Sequence, residues 1–136
     1  MQENLTNKIG HRVYYYETDK MGRVYHANFL EWMEEARTEY LRGRGITYAE
    51  LENQGILMPV SEISIKYFNP VEYDEFVQIV TTPILLSRVK VEFKYEFYNS
   101  EMKIKFGEAV STNVFADESG KIKRIGKELY ILLGGE

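Results

Sequence analysis

Residues 18–45 read TDKMGRVYHANFLEWMEEARTEYLRGRG. Apolar side chains recur in this stretch at the spacing of one helix face, at Phe29, Trp32, Met33, Ala36 and Tyr40. This periodicity predicts a long, half-buried helix over residues 28–42. Asn28 followed three residues later by Glu31 resembles a capping box at its start, and Gly43 ends it. The rest of the chain is interpreted around this helix.

Strand-like patterns flank the helix on both sides. From Met58 onward the apolar period changes from about 3.6 to about 2. The clearest alternation lies in residues 89–97, where apolar side chains face one way and Lys or Glu side chains face the other. Strands are predicted over residues 11–17, through Ile63, Ile65 and Tyr67, and over residues 76–86, 89–97 and 102–116. Short helical segments are predicted over residues 47–53 and 127–133.

One strand, one long helix and four further strands predict an α+β fold, an antiparallel sheet whose apolar face packs on the helix. A single helix seldom covers a five-stranded sheet completely. We therefore expect a second subunit to shield the remaining apolar surface and a sheet edge.

Composition excludes several classes of protein. A chain of 136 residues predicts one domain, residues 1–136. The absence of cysteine excludes disulfides, thiolate metal sites and a cysteine nucleophile, and it suits a reducing compartment. A net charge of -4 gives no general attraction to nucleic acid. With neither a signal-peptide pattern nor an apolar run long enough to span a membrane, the sequence predicts a cytoplasmic protein.

The polar loop before the long helix carries the candidate chemistry. A helix N-terminus offers unpaired backbone N–H groups, here near His26 and Ala27, which can stabilise a carbonyl oxygen that becomes negative. Asp19 could present its carboxylate to the same carbonyl carbon, directly or through a water. Gly22 would permit a tight turn between them. Asp19 as a simple turn residue, and His26 as a structural histidine, remain alternatives.

These residues resemble a known family, the 4-hydroxybenzoyl-CoA thioesterase-like proteins, and especially their YbgC-like acyl-CoA thioesterase branch. Two blocks of residues carry the resemblance. The first comprises Thr18-Asp19, Gly22, Val24-Tyr25-His26, Glu34, Ala36-Arg37 and Glu39, and the second comprises Tyr67, Pro70 and Asp74.

The resemblance implies a hotdog fold, an antiparallel five-stranded sheet wrapped around one long helix. It also implies a homodimer or homotetramer with an active site at the subunit interface, and hydrolysis of an acyl-CoA substrate without metal or other cofactor. Asp19 matches the catalytic aspartate, and the helix start near His26 matches the amide that polarises the thioester. His26 is a second catalytic candidate. Substrate-binding candidates are Gly22, Val24, Tyr25 and Ala27, and Met33 is expected in the acyl chamber.

The sequence leaves open the roles of three further charged residues and two rival functions. Glu34 is a reserve catalytic candidate, although an ion pair with Arg37 explains it equally well. Arg88 and Lys90 could bind CoA phosphates, but it is simpler to interpret both as solvent-exposed surface residues with no ligand. The rival functions are a non-catalytic hotdog module that binds acyl-CoA or acyl carrier protein and a hotdog dehydratase, which the sequence after His26 disfavours.

Overall fold

The computed structural model describes all 136 residues, Met1–Glu136. A single turn of 3-10 helix, Tyr15–Glu17, separates the first strand from the long helix. The elements in chain order are β1 (Asn7–Arg12), α1 (Asn28–Gly43), α2 (Tyr48–Asn53), β2 (Val60–Tyr67), β3 (Phe76–Leu86), β4 (Lys90–Asn99), β5 (Lys105–Val114) and α3 (Lys127–Leu133).

The five strands form one antiparallel sheet in the order β1-β3-β4-β5-β2. The alternation predicted in β4 is confirmed: Val91, Phe93, Tyr95 and Phe97 are buried, and the residues between them stay partly exposed. Such alternation is what a sheet with one covered face requires. The long strands β3, β4 and β5 therefore form the platform on which α1 lies.

Helix α1 covers the inner face of this platform. Its buried face includes Phe29, Trp32, Met33 and Tyr40, as the helical spacing predicts. The ring of Phe29 contacts Trp32 and Phe97, with centroids 4.6 and 5.0 Å apart. Burial of each such large apolar side chain contributes about 1.5–3 kcal/mol. This packing fixes the start of α1 firmly against the sheet.

Three predicted boundaries are wrong. The first strand is Asn7–Arg12 rather than residues 11–17, since the chain leaves the sheet at Val13 and turns through Tyr15–Glu17. The last strand is Lys105–Val114 rather than residues 102–116, because the turn after β4 continues to Ile104, whose N–H bonds Asn99. Asn28 is the first residue of α1 rather than its cap; the N-cap is Ala27, with no side-chain cap bond.

Strand β2 is at one edge of the sheet and pairs only with β5. Most of its residues are exposed, among them the large apolar side chains of Val60, Ile63 and Tyr67. Of the three side chains predicted to share one face of β2, Ile65 is packed against the core and the Tyr67 ring lies 5.1 Å from that of Phe29, whereas Ile63 is exposed. An exposed apolar edge of this kind is normally covered or paired.

Candidate active site

Asp19 opens a short loop that turns back on itself before α1. Its backbone N–H donates to the Arg23 carbonyl at 2.7 Å, and Gly22, at φ 75°, donates to the Asp19 carbonyl. The Asp19 Oδ1 atom accepts the N–H groups of Met21 and Arg23 at 2.8 and 3.2 Å. Asp19 thus has the turn role that its sequence context favours. Its second oxygen, Oδ2, accepts no hydrogen bond from the chain and is free to meet a substrate.

The start of α1 supplies unpaired donors next to this loop. The N–H groups of Asn28, Phe29 and Leu30 donate to carbonyls three residues back, whereas those of His26 and Ala27 have no acceptor within the chain. Unpaired amides at a helix start can bind a developing negative charge.

The Asn28 side chain ties the loop to the helix. Its Nδ2 atom donates to the carbonyl oxygens of Glu17 and Tyr25, at 2.8 and 3.1 Å. The Tyr25 N–H also donates to the Glu17 carbonyl, at 2.9 Å. These bonds fix the direction in which the chain enters α1, and with it the direction of the free amides.

Asp19 and His26 line one cavity of about 430 Å³ between the loop, the start of α1 and the end of β2. Val24 and Tyr25 line it as well, so the structure brings four of the six predicted site residues together. Gly22 and Ala27 are not in its wall. The remaining lining residues are Arg23, Phe29, Tyr67, Phe68, Asn69, Pro70 and Val71.

Aromatic side chains shape the wall of this cavity around His26. The His26 ring is 4.4 Å from that of Tyr25 and 6.3 Å from that of Tyr67, centroid to centroid. The Tyr67 hydroxyl donates to the His26 carbonyl at 3.3 Å. Burial raises the pKa of Tyr67, so this hydroxyl stays protonated at neutral pH. The wall combines apolar rings with a few polar groups, as small-molecule sites usually do.

Glu17, two residues before Asp19, is a buried carboxylate that sequence reasoning missed. It is only 3% exposed. It accepts hydrogen bonds from the Tyr14 N–H, from His11 Nε2 and from Trp32 Nε1, at 2.8, 2.9 and 2.7 Å. Burial favours a raised pKa for Glu17, but these three donors outweigh it and leave the pKa lowered. Tyr14 and His11 lie within six residues of Glu17, but Trp32 comes from α1, so the local sequence does not indicate the full set of donors.

The reserve candidates lie elsewhere. Glu34 is exposed and lines two other cavities rather than that of Asp19. The ion pair with Arg37, offered as an alternative explanation of Glu34, does not form: Arg37 is buried, and no carboxylate lies within 4.0 Å of it. Arg88 Nε donates to the Ile125 carbonyl, and Lys90 lies 3.9 Å from Glu92. Met33, expected in the acyl chamber, is fully buried in the core.

No group of three or more His, Cys, Asp or Glu side chains is arranged to hold a metal ion. No helix combines the length and the apolar character needed to cross a membrane.

Comparison with known proteins decides the family. Residues 21–105, more than half of the chain, match the model of the thioesterase superfamily. The chain belongs to the thioesterase superfamily. The matched segment includes the start of α1 and begins two residues after Asp19.

Named relatives agree with this assignment. This thioesterase is 39% identical to the putative acyl-CoA thioesterase YneP of Bacillus subtilis over 78% of its own length and 76% of the relative's. It is 31% identical to the acyl-CoA thioester hydrolase YbgC of Escherichia coli over 66% of its length and 67% of that protein's. The predicted YbgC-like resemblance is confirmed.

A solved structure agrees on the fold. The DHNA-CoA thioesterase of Staphylococcus aureus superposes on this thioesterase with a TM-score of 0.83 and 31% identity, covering 88% of this chain and 80% of that one. The predicted hotdog fold is confirmed by this likeness and by the observed sheet and helix.

Proposed function

We propose that this thioesterase hydrolyses an acyl-CoA to a free carboxylic acid and coenzyme A, with Asp19 as the group that delivers the attack. The observation that carries the proposal is the shared cavity, in which Asp19 lies with the helix start that bears the unpaired amides. In the reaction a water oxygen bonds to the carbonyl carbon, the C–S bond breaks, and CoA leaves as the thiol.

Asp19 suits either of two routes to that product. Its Oδ1 atom is held by two loop amides, which fixes the orientation of the carboxylate, while Oδ2 stays free. In the direct route Oδ2 attacks the carbonyl carbon and expels the CoA thiolate, and water then cleaves the resulting anhydride and restores the carboxylate. In the other route Oδ2 removes a proton from the attacking water, and that proton passes to the leaving thiolate. Both routes need an ionised Asp19, and both are lost when an amide replaces the carboxylate.

The backbone N–H of His26, a residue that lines the Asp19 cavity, is the proposed oxyanion donor, and the unpaired N–H of Ala27 follows it at the same helix start. As the thioester carbon becomes tetrahedral, its oxygen gains negative charge. Donors that point there before the reaction need no rearrangement, and each is worth roughly a hundredfold to a thousandfold in rate. The contribution of His26 is assigned to its backbone N–H, because the imidazole has no hydrogen-bond partner in the chain to orient it as a base.

We also propose a homodimer, formed by antiparallel pairing of β2 with β2 of a second copy. Three facts support it: β2 is an edge strand, it exposes Val60 and Ile63, and its far end borders the Asp19 cavity through Tyr67. Pairing would satisfy the free backbone groups of the edge and cover its apolar side chains.

The test of the proposed activity is release of CoA thiol from a panel of acyl-CoA esters. The proposal expects turnover by the wild type and loss of turnover in Asp19→Asn. Binding of an acyl-CoA without thiol release from any ester would instead favour a non-catalytic binding module.

A further inference from the structure

Arg37 is a buried cation without a counter-ion. Its side chain lies on the inner side of α1 and is 7% exposed. The Nη1 atom donates to the Tyr95 hydroxyl at 3.2 Å, Nε has no hydrogen-bond partner, and no carboxylate lies within salt-bridge distance. A buried charge without a partner of opposite sign costs several kcal/mol. Its unpaired donor, Nε, is available to an anion that comes from outside the chain.

Neutral groups surround the guanidinium and hold it in place. The Tyr95 hydroxyl lies 2.6 Å from Ser111 Oγ. Asn113, two residues further along β5, donates to the Met58 carbonyl at 2.8 Å. These contacts use hydroxyl and amide groups that carry no charge, so they position Arg37 without neutralising it. Burial alone would lower the pKa of Arg37, but the Tyr95 and Tyr48 hydroxyls beside the guanidinium leave that pKa raised. Nε is the guanidinium atom that has no hydrogen-bond partner in the chain.

Arg37 lines a second cavity, of about 510 Å³, beside the start of β2. Tyr48, Met58, Val60 and Asn113 also line it, so its wall mixes apolar groups with groups that form hydrogen bonds. Glu34 and Glu52 border the same cavity, yet neither pairs with Arg37. The cavity has the dimensions of a small-molecule site, and Arg37 is the one cation in its wall, beside these two carboxylates.

The two cavities lie at opposite ends of β2. Val60, the first residue of the strand, borders the Arg37 cavity, and Tyr67, the last, borders the Asp19 cavity. At about 3.3 Å per residue these ends are roughly 23 Å apart, too far for one compact acyl group within a single chain. Antiparallel pairing of two copies of β2 would place Val60 of one copy near Tyr67 of the other. This step depends on the dimer proposed above.

We propose that Arg37 of one copy binds a terminal carboxylate on the acyl group whose thioester lies in the Asp19 cavity of the other. The substrate class is then the CoA monothioester of a dicarboxylic acid. The carboxylate supplies the opposite charge that the chain does not place beside Arg37, and one of its oxygens can accept a hydrogen bond from the unpaired Nε.

The test compares acyl-CoA pairs that differ only in the terminal group, such as glutaryl-CoA with pentanoyl-CoA, in a series of chain lengths. The wild type is expected to prefer at least one carboxylate-ended member by roughly tenfold or more in kcat/KM, the usual effect of a charged hydrogen bond. In Arg37→Met this ratio should fall to about one or below. Arg42→Met, an exposed arginine on the same helix, should keep the wild-type ratio.

Mixed dimers test whether the two residues act across the interface. Asp19→Asn and Arg37→Met chains with different tags are co-expressed and the heterodimer isolated. One of its two sites then combines Asp19 of the Arg37→Met chain with Arg37 of the Asp19→Asn chain. That heterodimer should regain the preference for the carboxylate-ended ester, whereas sites built within one chain would leave it without the preference.

Four results would overturn the inference. The first is a wild type that hydrolyses acyl-CoA without any preference for a carboxylate end. The second is an Arg37→Met variant that slows both members of a pair equally. The third is dissociation of the Arg37→Met dimer in sedimentation, which would assign the missing anion to a side chain of the second copy. The fourth is a heterodimer without the preference.

Failure of the proposed function itself is distinguishable from these results. A wild type that hydrolyses no ester at all contradicts the proposed function, and the inference falls with it. If Arg37→Met does not fold, Arg37→Lys keeps the charge but loses the Nε donor, and it should reduce the ratio without abolishing it.

Discussion

Asp19 and Asp117 form the same turn at two places in the chain. Each accepts, through Oδ1, the N–H groups two and four residues further on, and each turn has a glycine at positive φ in its fourth position. Only Asp19 borders the cavity at the start of α1. The turn role alone therefore does not distinguish a catalytic aspartate from a structural one. The difference between Asp19 and Asp117 is that Asp19 lines a cavity. Asp117 is consequently a natural control for Asp19.

Glu17 gives a prediction about pH at the residue scale. Its pKa is lowered in the folded protein from an ordinary value of 4.5, so its stabilising effect is complete above about pH 4.5 and is lost as the pH falls below that value. In Glu17→Gln the free energy of unfolding should fall by about 2 kcal/mol at neutral pH, because a buried acceptor of charged hydrogen bonds is lost.

Urea unfolding at a series of pH values between 7 and 3 checks this. The difference between wild type and Glu17→Gln should shrink as the pH drops, while Glu31→Gln, an exposed acid on α1, should differ little from wild type at any pH. A difference that stays constant down to pH 3 would contradict the assignment.

At the scale of elements, the entry into α1 decides where the proposed oxyanion donors point. Asn28→Ala removes both hydrogen bonds from its side chain to the Glu17 and Tyr25 carbonyls. We expect the unfolding free energy to fall by about 1–2 kcal/mol and kcat to fall while KM changes less, since the free amides lose their fixed direction. Asn53→Ala, exposed at the end of α2, is the matched control. Unchanged kcat in Asn28→Ala would contradict this positioning role.

The elements differ in how well the sequence predicts them. Helix α1 and the alternating β4 follow from local periodicity, because each buries one face along its whole length. Strand β1 does not, since the three consecutive tyrosines Tyr14, Tyr15 and Tyr16 suggest a strand but are exposed in a turn. After β1 the chain turns through Tyr15–Glu17, where Glu17 accepts hydrogen bonds from the nearby His11 and Tyr14 and from Trp32 on α1.

At the scale of the whole molecule, the sheet edge at β2 is the proposed dimer interface. Ile63→Lys places a charge on that edge and should convert the proposed dimer to a monomer in analytical ultracentrifugation. Ile122→Lys, equally apolar but away from β2, should leave the assembly unchanged. If the Ile63→Lys protein sediments as the wild type does, the proposed interface is wrong.

The candidate site is predictable from sequence only in part, because its two walls come from segments that are far apart in the chain. The loop residues Asp19, Val24, Tyr25 and His26 are adjacent in sequence and were identified from it, but the opposite wall, which includes Phe68 and Val71, comes from the end of β2 and the segment after it. Arg37 was predicted to pair with Glu34 because helical spacing permits it. Its burial against Tyr95 depends on how α1 lies on the sheet.

The most direct test of the central claim is the rate of CoA release by Asp19→Asn and Asp117→Asn under identical conditions. Asn can accept the same loop hydrogen bonds, so both variants should unfold at the wild-type urea concentration. We predict at least a roughly hundredfold lower kcat/KM for Asp19→Asn and a wild-type value for Asp117→Asn. Wild-type turnover by a folded Asp19→Asn protein would contradict the account.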